Sequence, residues 1–253
     1  MTRHAQITNR ITICLLMVMV AAGTVVAPTM GRAENAPAEK SVSAPRNVTV
    51  TVKMIGPVTQ TTDLQIICLL KHNPAGDQYI EAMQDFNDKL GGLLSSLRER
   101  GEFVGDPGET LVFNPPTGSI TPKRVLLIGV GEESALTVDR LRLAGTIAAR
   151  ESVRLGMSHV SFAPTLRDQG SKRIDVGEGD AAVAESFLLA YDTERRLQEQ
   201  HLASGATIHE FVIEAGPQYF AGAAEKVGAA VQSAGAALAQ REAKPYRYAS
   251  AQE

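Results

Sequence analysis

A chain of 253 residues that is 44% hydrophobic and 21% charged has globular composition and enough length to bury a core, which excludes a disordered or collagen-like polymer. Its 25 Lys and Arg against 28 Asp and Glu leave a net charge of −3, a poor match for a nucleic-acid partner. Trp is absent, aromatics are 5% and Gly numbers 22, so the core has to be built from aliphatic side chains and close helix contacts, which favours an α/β design.

Residues 1–33 read as an export signal: Arg3 and Arg10 make a positive start, residues 11–27 are uncharged and apolar, and Gly31-Arg32-Ala33 offers small residues around a cut. A retained anchor is the alternative, but the apolar run falls short of the roughly 20 residues a spanning helix needs. Cys14 lies inside that run and lacks the small neighbour of a lipoprotein site. Cleavage removes Arg3, Arg10 and Arg32 and no acid, three cations fewer, so the charge moves from −3 to −6. Cys68 is then the one remaining cysteine, which excludes an internal disulfide and reads as a buried thiol. The expectation is an exported chain, periplasmic or secreted, with no stable membrane association once the signal is cut. Residues 34–46, rich in Ala, Pro, Ser, Glu and Lys, read as a linker.

The domain is expected over residues 47–245. Val48, Val50, Val52 and Met54 alternate with polar residues, the period of a strand with one buried face, and Gly56-Pro57 ends it. Residues 63–70 (D-L-Q-I-I-C-L-L) are a continuous apolar run suited to a strand covered on both faces. After the turn signals Asn73-Pro74 and Gly76-Asp77, Ile80, Met83, Phe86 and Leu90 recur at helical spacing. Gly91-Gly92 interrupts that helix, Leu93, Leu94 and Leu97 continue its apolar side, and Gly101 supplies a left-handed cap with Arg98 and Arg100 in the last turn. Residues 110–114 form a short strand, and residues 124–130 (R-V-L-L-I-G-V), the most apolar strand, are expected at the sheet centre.

Thr137 caps the next helix, whose Leu141, Ala144, Ala148 and Leu155 share a face up to Gly156. Residues 160–163 give another strand and residues 167–180 a polar surface loop. Asp180 is expected to cap a helix carrying Ala184, Phe187, Leu188 and Tyr191 on one face. Residues 209–214 are the last strand; beyond Gly216-Pro217 a long Ala/Gly-rich helix presents Val227, Val231, Ala234 and Leu238 as a narrow stripe. Residues 246–253 form a tail. The alternation predicts a mixed or largely parallel sheet sandwiched between helices.

Candidate chemistry is sparse. Gly129 and Gly131 follow a buried strand and precede a helix, where backbone amides can hold a phosphate, so they are a candidate ligand loop. No third glycine completes the spacing, and Glu132-Glu133 puts negative charge beside the anion site, which favours a plain tight turn. Asp175, Glu178 and Asp180 are glycine-spaced acids that a hard cation would suit, set against a solvated loop ending in a helix cap. His72, His159, His201 and His209 stand singly without zinc spacing, and no Gly-x-Ser-x-Gly elbow occurs. No catalytic residue, metal site or cofactor is expected.

The run 97–105 (L-R-E-R-G-E-F-V-G), then Gly108-Glu109-Thr110-Leu111, then 123–131 (K-R-V-L-L-I-G-V-G) resembles in order and spacing the N-terminal domain of the leucyl aminopeptidase (M17) family. Weaker similarity continues through residues 181–191 and 221–241. The resemblance implies a three-layer α/β/α, macro-domain-like fold. In that family the peptidase chemistry belongs to a C-terminal two-metal domain with an N-T-D-A-E-G-R motif, which does not occur here, so no catalytic residue carries over. The expected function is an exported, non-catalytic binding or assembly module whose partner is a separate aminopeptidase catalytic chain or a second copy. The alternative is a macro-like binder or hydrolase of a nucleotide or ADP-ribose type ligand.

Overall fold

A computed structural model describes residues 38–244 and 246. The expected signal segment with Cys14, and residues 247–253 of the expected tail, lie outside them. Among the described residues, strands β1 (Glu39–Ala44), β2 (Val48–Lys53), β3 (Leu64–Leu70), β4 (Thr110–Phe113), β5 (Val125–Gly131), β6 (His159–Ala163) and β7 (Glu210–Glu214) are interleaved with helices α1 (Glu81–Lys89), α2 (Leu93–Glu99), α3 (Val138–Arg154), α4 (Val176–Glu199) and α5 (Phe220–Glu242). The strands form one sheet in the order β1-β2-β7-β6-β3-β5-β4, parallel throughout except for the antiparallel edge strands β1 and β4.

Strand alternation divides the core. Ile66, Cys68, Leu126, Ile128, Phe162, Phe211 and Ile213 face α3, α4 and α5, while Ile67, Leu69, Val125 and Leu127 face Met83, Phe86 and Leu94 of α1 and α2. The arrangement is the expected three-layer α/β/α sandwich. Every residue of β3 and of β5 is buried, as their unbroken apolar runs require.

Three expectations change. Residues 34–46 were expected as a linker, but 39–44 form β1, paired with β2 in the register Val42↔Val50. Only Val42 and Ala44 pack against the core, so an edge strand with one polar, exposed face leaves no apolar pattern to see. Pro45 and two left-handed residues, Arg46 (φ 63°) and Asn47 (φ 60°), return the chain to β2, and Arg46 binds Asp192 and Glu199 of α4, each at 2.7 Å. Secondly, the sheet centre is β6; β5 is second from the edge, and its burial comes from β4 shielding its outer side. Thirdly, α4 starts at Val176 under an Asp175 cap that accepts the Glu178 N–H at 3.0 Å, so Asp180 lies inside the helix.

The run 97–131 is built around a close crossing. The Glu109 carboxylate accepts the backbone N–H groups of Val104, Gly105 (2.6 Å) and Asp106 (3.0 Å), folding the loop onto itself. That loop lies over the end of β5: Gly129 N–H donates to the Glu109 carbonyl (2.8 Å), Gly108 N–H to the Gly129 carbonyl (2.9 Å), and Gly131 N–H to the Gly105 carbonyl (2.9 Å). Nearby, buried Arg98 donates to both carboxylate oxygens of Asp77 and to the Leu70 carbonyl (2.8 Å), tying α2 to the end of β3. Burial on its own would raise the Asp77 carboxyl, but hydrogen bonds from Arg98, the Asn73 N–H and His72 bring it down to about 2.

A Cβ on Gly129 would sit 2.2 Å from the Asp106 carbonyl oxygen. Gly129→Ala is therefore expected to cost about 2 kcal/mol in denaturant unfolding, because backbone, not a side-chain tip, has to move. An unchanged midpoint would show that the loop does not bear on β5.

Candidate functional site

β2, β7, β6 and β3 run parallel, so their carboxyl ends and the loops that follow gather at one end of the sheet, the usual place for a ligand in an open α/β sheet. Between the segments after β2, β6 and β7 lies a cavity of about 160 Å³. Its walls mix apolar groups, among them Leu136, Leu141, Ile174 and Tyr219, with an unusual number of carboxylates.

Asp180 projects from the second turn of α4 with its whole side chain buried, and neither carboxylate oxygen has a hydrogen-bond partner among the described residues. Burial, with the Asp175 charge adding to it, holds its carboxyl well above the usual range. Glu214 ends β7 and alternates to the opposite face from Ile213. The Ser161 hydroxyl donates to its Oε1 at 2.6 Å, whereas Oε2 has no partner. Burial pushes Glu214 up to about 7, a rise that Ser161 and Gln65 temper. At the rim Asp168 reaches about 6, through burial first and the neighbouring Glu81 charge second, against a hydrogen bond from the Met83 N–H.

Two non-glycine residues on the cavity wall, Thr165 (φ 53°) and Glu81 (φ 48°), are held in the left-handed region, a cost of roughly 1–3 kcal/mol each that clusters at working sites. The one cation on the wall, Arg167, donates to the Ile174 carbonyl (3.1 Å) and lies 5.9 Å over the Tyr219 ring. Asp175 is occupied by Lys226 at 2.5 Å.

The residues singled out from sequence do not meet here. Gly129 and Gly131 belong to β5, beyond β3, and their amides are already donated to the 105–109 loop, so the expected ligand loop is a packing device. Asp175 points to Lys226 while Asp180 is buried separately, so the acidic triplet is not a cation cage, and among the described residues no three His, Cys, Asp or Glu side chains group so as to hold a metal. His72 Nδ1 contacts Asp77 (2.9 Å) and His159 Nδ1 contacts Asp63 (3.2 Å), each on its own. Cys68 is buried, and its thiol is raised by burial. The cleft was missed because residues 167–180 read as a solvated loop. The available signal was Asp180 itself, which shares the stripe of Ala184, Phe187 and Tyr191 at helical spacing and so puts a carboxylate on a buried face.

The computed structure is similar to a tomato leucine aminopeptidase mutant (TM-score 0.58, 20% identity, 80% of this chain and 39% of that one). It is also similar to a mutant of the Oceanobacillus iheyensis macrodomain (TM-score 0.54, 12% identity, 80% and 98%) and to that macrodomain with ADP (TM-score 0.51, 13%, 78% and 98%). These likenesses define the class, a macro-like α/β/α domain. A model of the cytosol aminopeptidase family, N-terminal domain, matches residues 70–200, and the chain belongs to that family. Probable cytosol aminopeptidases of Geotalea uraniireducens (35% identity over 105 residues, 41% of this chain and 21% of the relative) and Roseiflexus castenholzii (29% over 141 residues, 55% and 25%) are similar to it. The chain thus covers about a fifth to a quarter of the length of these relatives.

The folded-state values of Asp168, Asp180 and Glu214 all lie above the ordinary carboxylate range, so the folded protein keeps protons that the unfolded chain releases. The stability that Asp168 and Glu214 favour is complete at acid pH and is lost as pH rises through the interval from about 4 to 7, and Asp180 acts in the same direction. Glu214→Gln, neutral at every pH, is expected to flatten the fall in melting temperature across that interval and to gain up to about 3 kcal/mol at pH 8. A fall as steep as in the unaltered chain would show that Glu214 does not titrate there.

Proposed function

We propose that this chain is an exported binding and assembly module of the cytosol aminopeptidase family, without peptidase chemistry of its own, which joins a separately encoded aminopeptidase catalytic chain or a second copy. The observation that carries the reading is the extent of the likeness: the matched model is that of the family's N-terminal domain, and the shared length is a small part of each relative. Export is supported by the charged, then apolar, then small-residue order of residues 1–33. Among the described residues no helix is long and apolar enough to cross a membrane.

A nucleotide or ADP-ribose type ligand is the second reading, favoured by the fold likeness to macrodomains, which is weak warrant for function. The carboxylates of the cleft speak against a phosphorylated ligand.

The test uses the chain recovered from the exported fraction, expected to begin near residue 34. It is assayed for leucine-p-nitroanilide hydrolysis with Mn²⁺ or Zn²⁺, then mixed with a family catalytic domain purified without its own N-terminal domain. The expected result is no hydrolysis by the chain alone and a complex on size-exclusion chromatography, with the catalytic domain or with itself. Hydrolysis by the pure chain, or a monomer that joins neither, contradicts the proposal.

A further inference from the structure

Two buried carboxylate groups without full partners, both lining one cavity, need an explanation. Asp180 has neither oxygen hydrogen-bonded, and Glu214, eased by Ser161 and Gln65, is only partly satisfied. An uncompensated buried charge is strongly destabilising, and leaving a buried acceptor unpaired is costly even when the group is neutral. Core-facing positions on α4 and at the end of β7 would be filled more stably by apolar residues. The nearest basic groups do not compensate them: Lys226 is held by Asp175, and Arg167 is turned to the Ile174 carbonyl and the Tyr219 ring. Glu81 and Asp168 add two more acids at the rim.

The acids share the cavity with apolar surface from Leu136, Leu141, Ile174 and Tyr219. A ligand suited to these walls carries a positive, hydrogen-bond-donating head and a short apolar body. A phosphate meets repulsion, and a hydrated metal ion wastes the apolar wall. Water in the cavity can satisfy the acceptors but brings no charge.

We propose that the cleft at the carboxyl ends of β6 and β7 binds a small organic ammonium ion, a primary amine bearing an aliphatic group, with Asp180 and Glu214 as its counter-ions. Binding brings the ammonium to the buried carboxylates of the cavity, which then carry charge against a partner inside the protein. The thermal penalty of the buried acids is relieved in the complex. The left-handed backbone at Thr165 and Glu81 fixes the loops that place the rim around it. This names the ligand of the binding module and rests on that reading only for the cleft being a working surface; the assembly experiment has a separate readout, so either can fail alone.

The test is calorimetric titration of the intact chain at pH 8 with 3-methylbutylamine, its uncharged isostere 3-methylbutanol, and ADP-ribose, repeated on Asp180→Asn and Glu214→Gln. The amine is expected to bind at least about tenfold more tightly than the alcohol, as one charge-assisted hydrogen bond warrants, and ADP-ribose not at all. Each substitution is expected to cost the amine about tenfold while leaving the alcohol unchanged, with circular dichroism confirming the fold. If one variant does not fold, the other carries the test. Equal binding of amine and alcohol, no binding of the amine, preferential binding of ADP-ribose, or amine affinity untouched in the folded variants would each overturn the proposal.

Discussion

The fold depends on how closely the 104–109 loop passes over the end of β5. Three glycines make the crossing feasible, since a Cβ at Gly105, Gly129 or Gly131 would meet atoms of the Leu70 carbonyl, the Asp106 carbonyl or Pro107 at 2.8 Å or less. Glu109 shapes the loop by collecting three of its amides, of which that of buried Gly105 would otherwise lack a partner. The loop covers the end of β5, and β4, which follows it, pairs along the outer edge. The fully buried β3 has a parallel neighbour on each side. The most recognisable part of the sequence is thus architecture, and the cleft lies on the far side of β3 from it.

Much of this was legible from residues alone. The unbroken runs in β3 and β5, the stripe of Val227, Val231, Ala234 and Leu238 on α5, and the left-handed Gly101 (φ 69°) are as the sequence implied. What failed did so for physical reasons. β1 buries side chains on one face only, so its edge position hid it among polar residues. Strand order is not encoded in hydrophobicity, because β5 next to an antiparallel edge strand is as dry as a central strand. Acids favour helix starts, so the sequence points to Asp180 as a cap, but Asp175 five residues earlier holds that role.

The candidate site was the least legible part. Its acids come from α4, β7, α1 and the β6–α4 loop, far apart in the chain and joined only when the parallel strands bring their ends together. Gly129 and Gly131 drew attention because glycine pairs after a strand often hold phosphate, yet the same conformational freedom serves a close backbone crossing equally well. The acids lining the cleft are the basis for proposing an ammonium rather than a phosphate as its ligand.

The most direct measurement is an amide ¹H–¹⁵N spectrum of the chain titrated with 3-methylbutylamine. The expected result is shifts confined to the cavity wall, residues 55–57, 81–82, 136, 141, 163–180 and 214–219, with Gly129 and Gly131 unmoved and slow to exchange with solvent. Shifts centred on 129–133, or none anywhere, would contradict it.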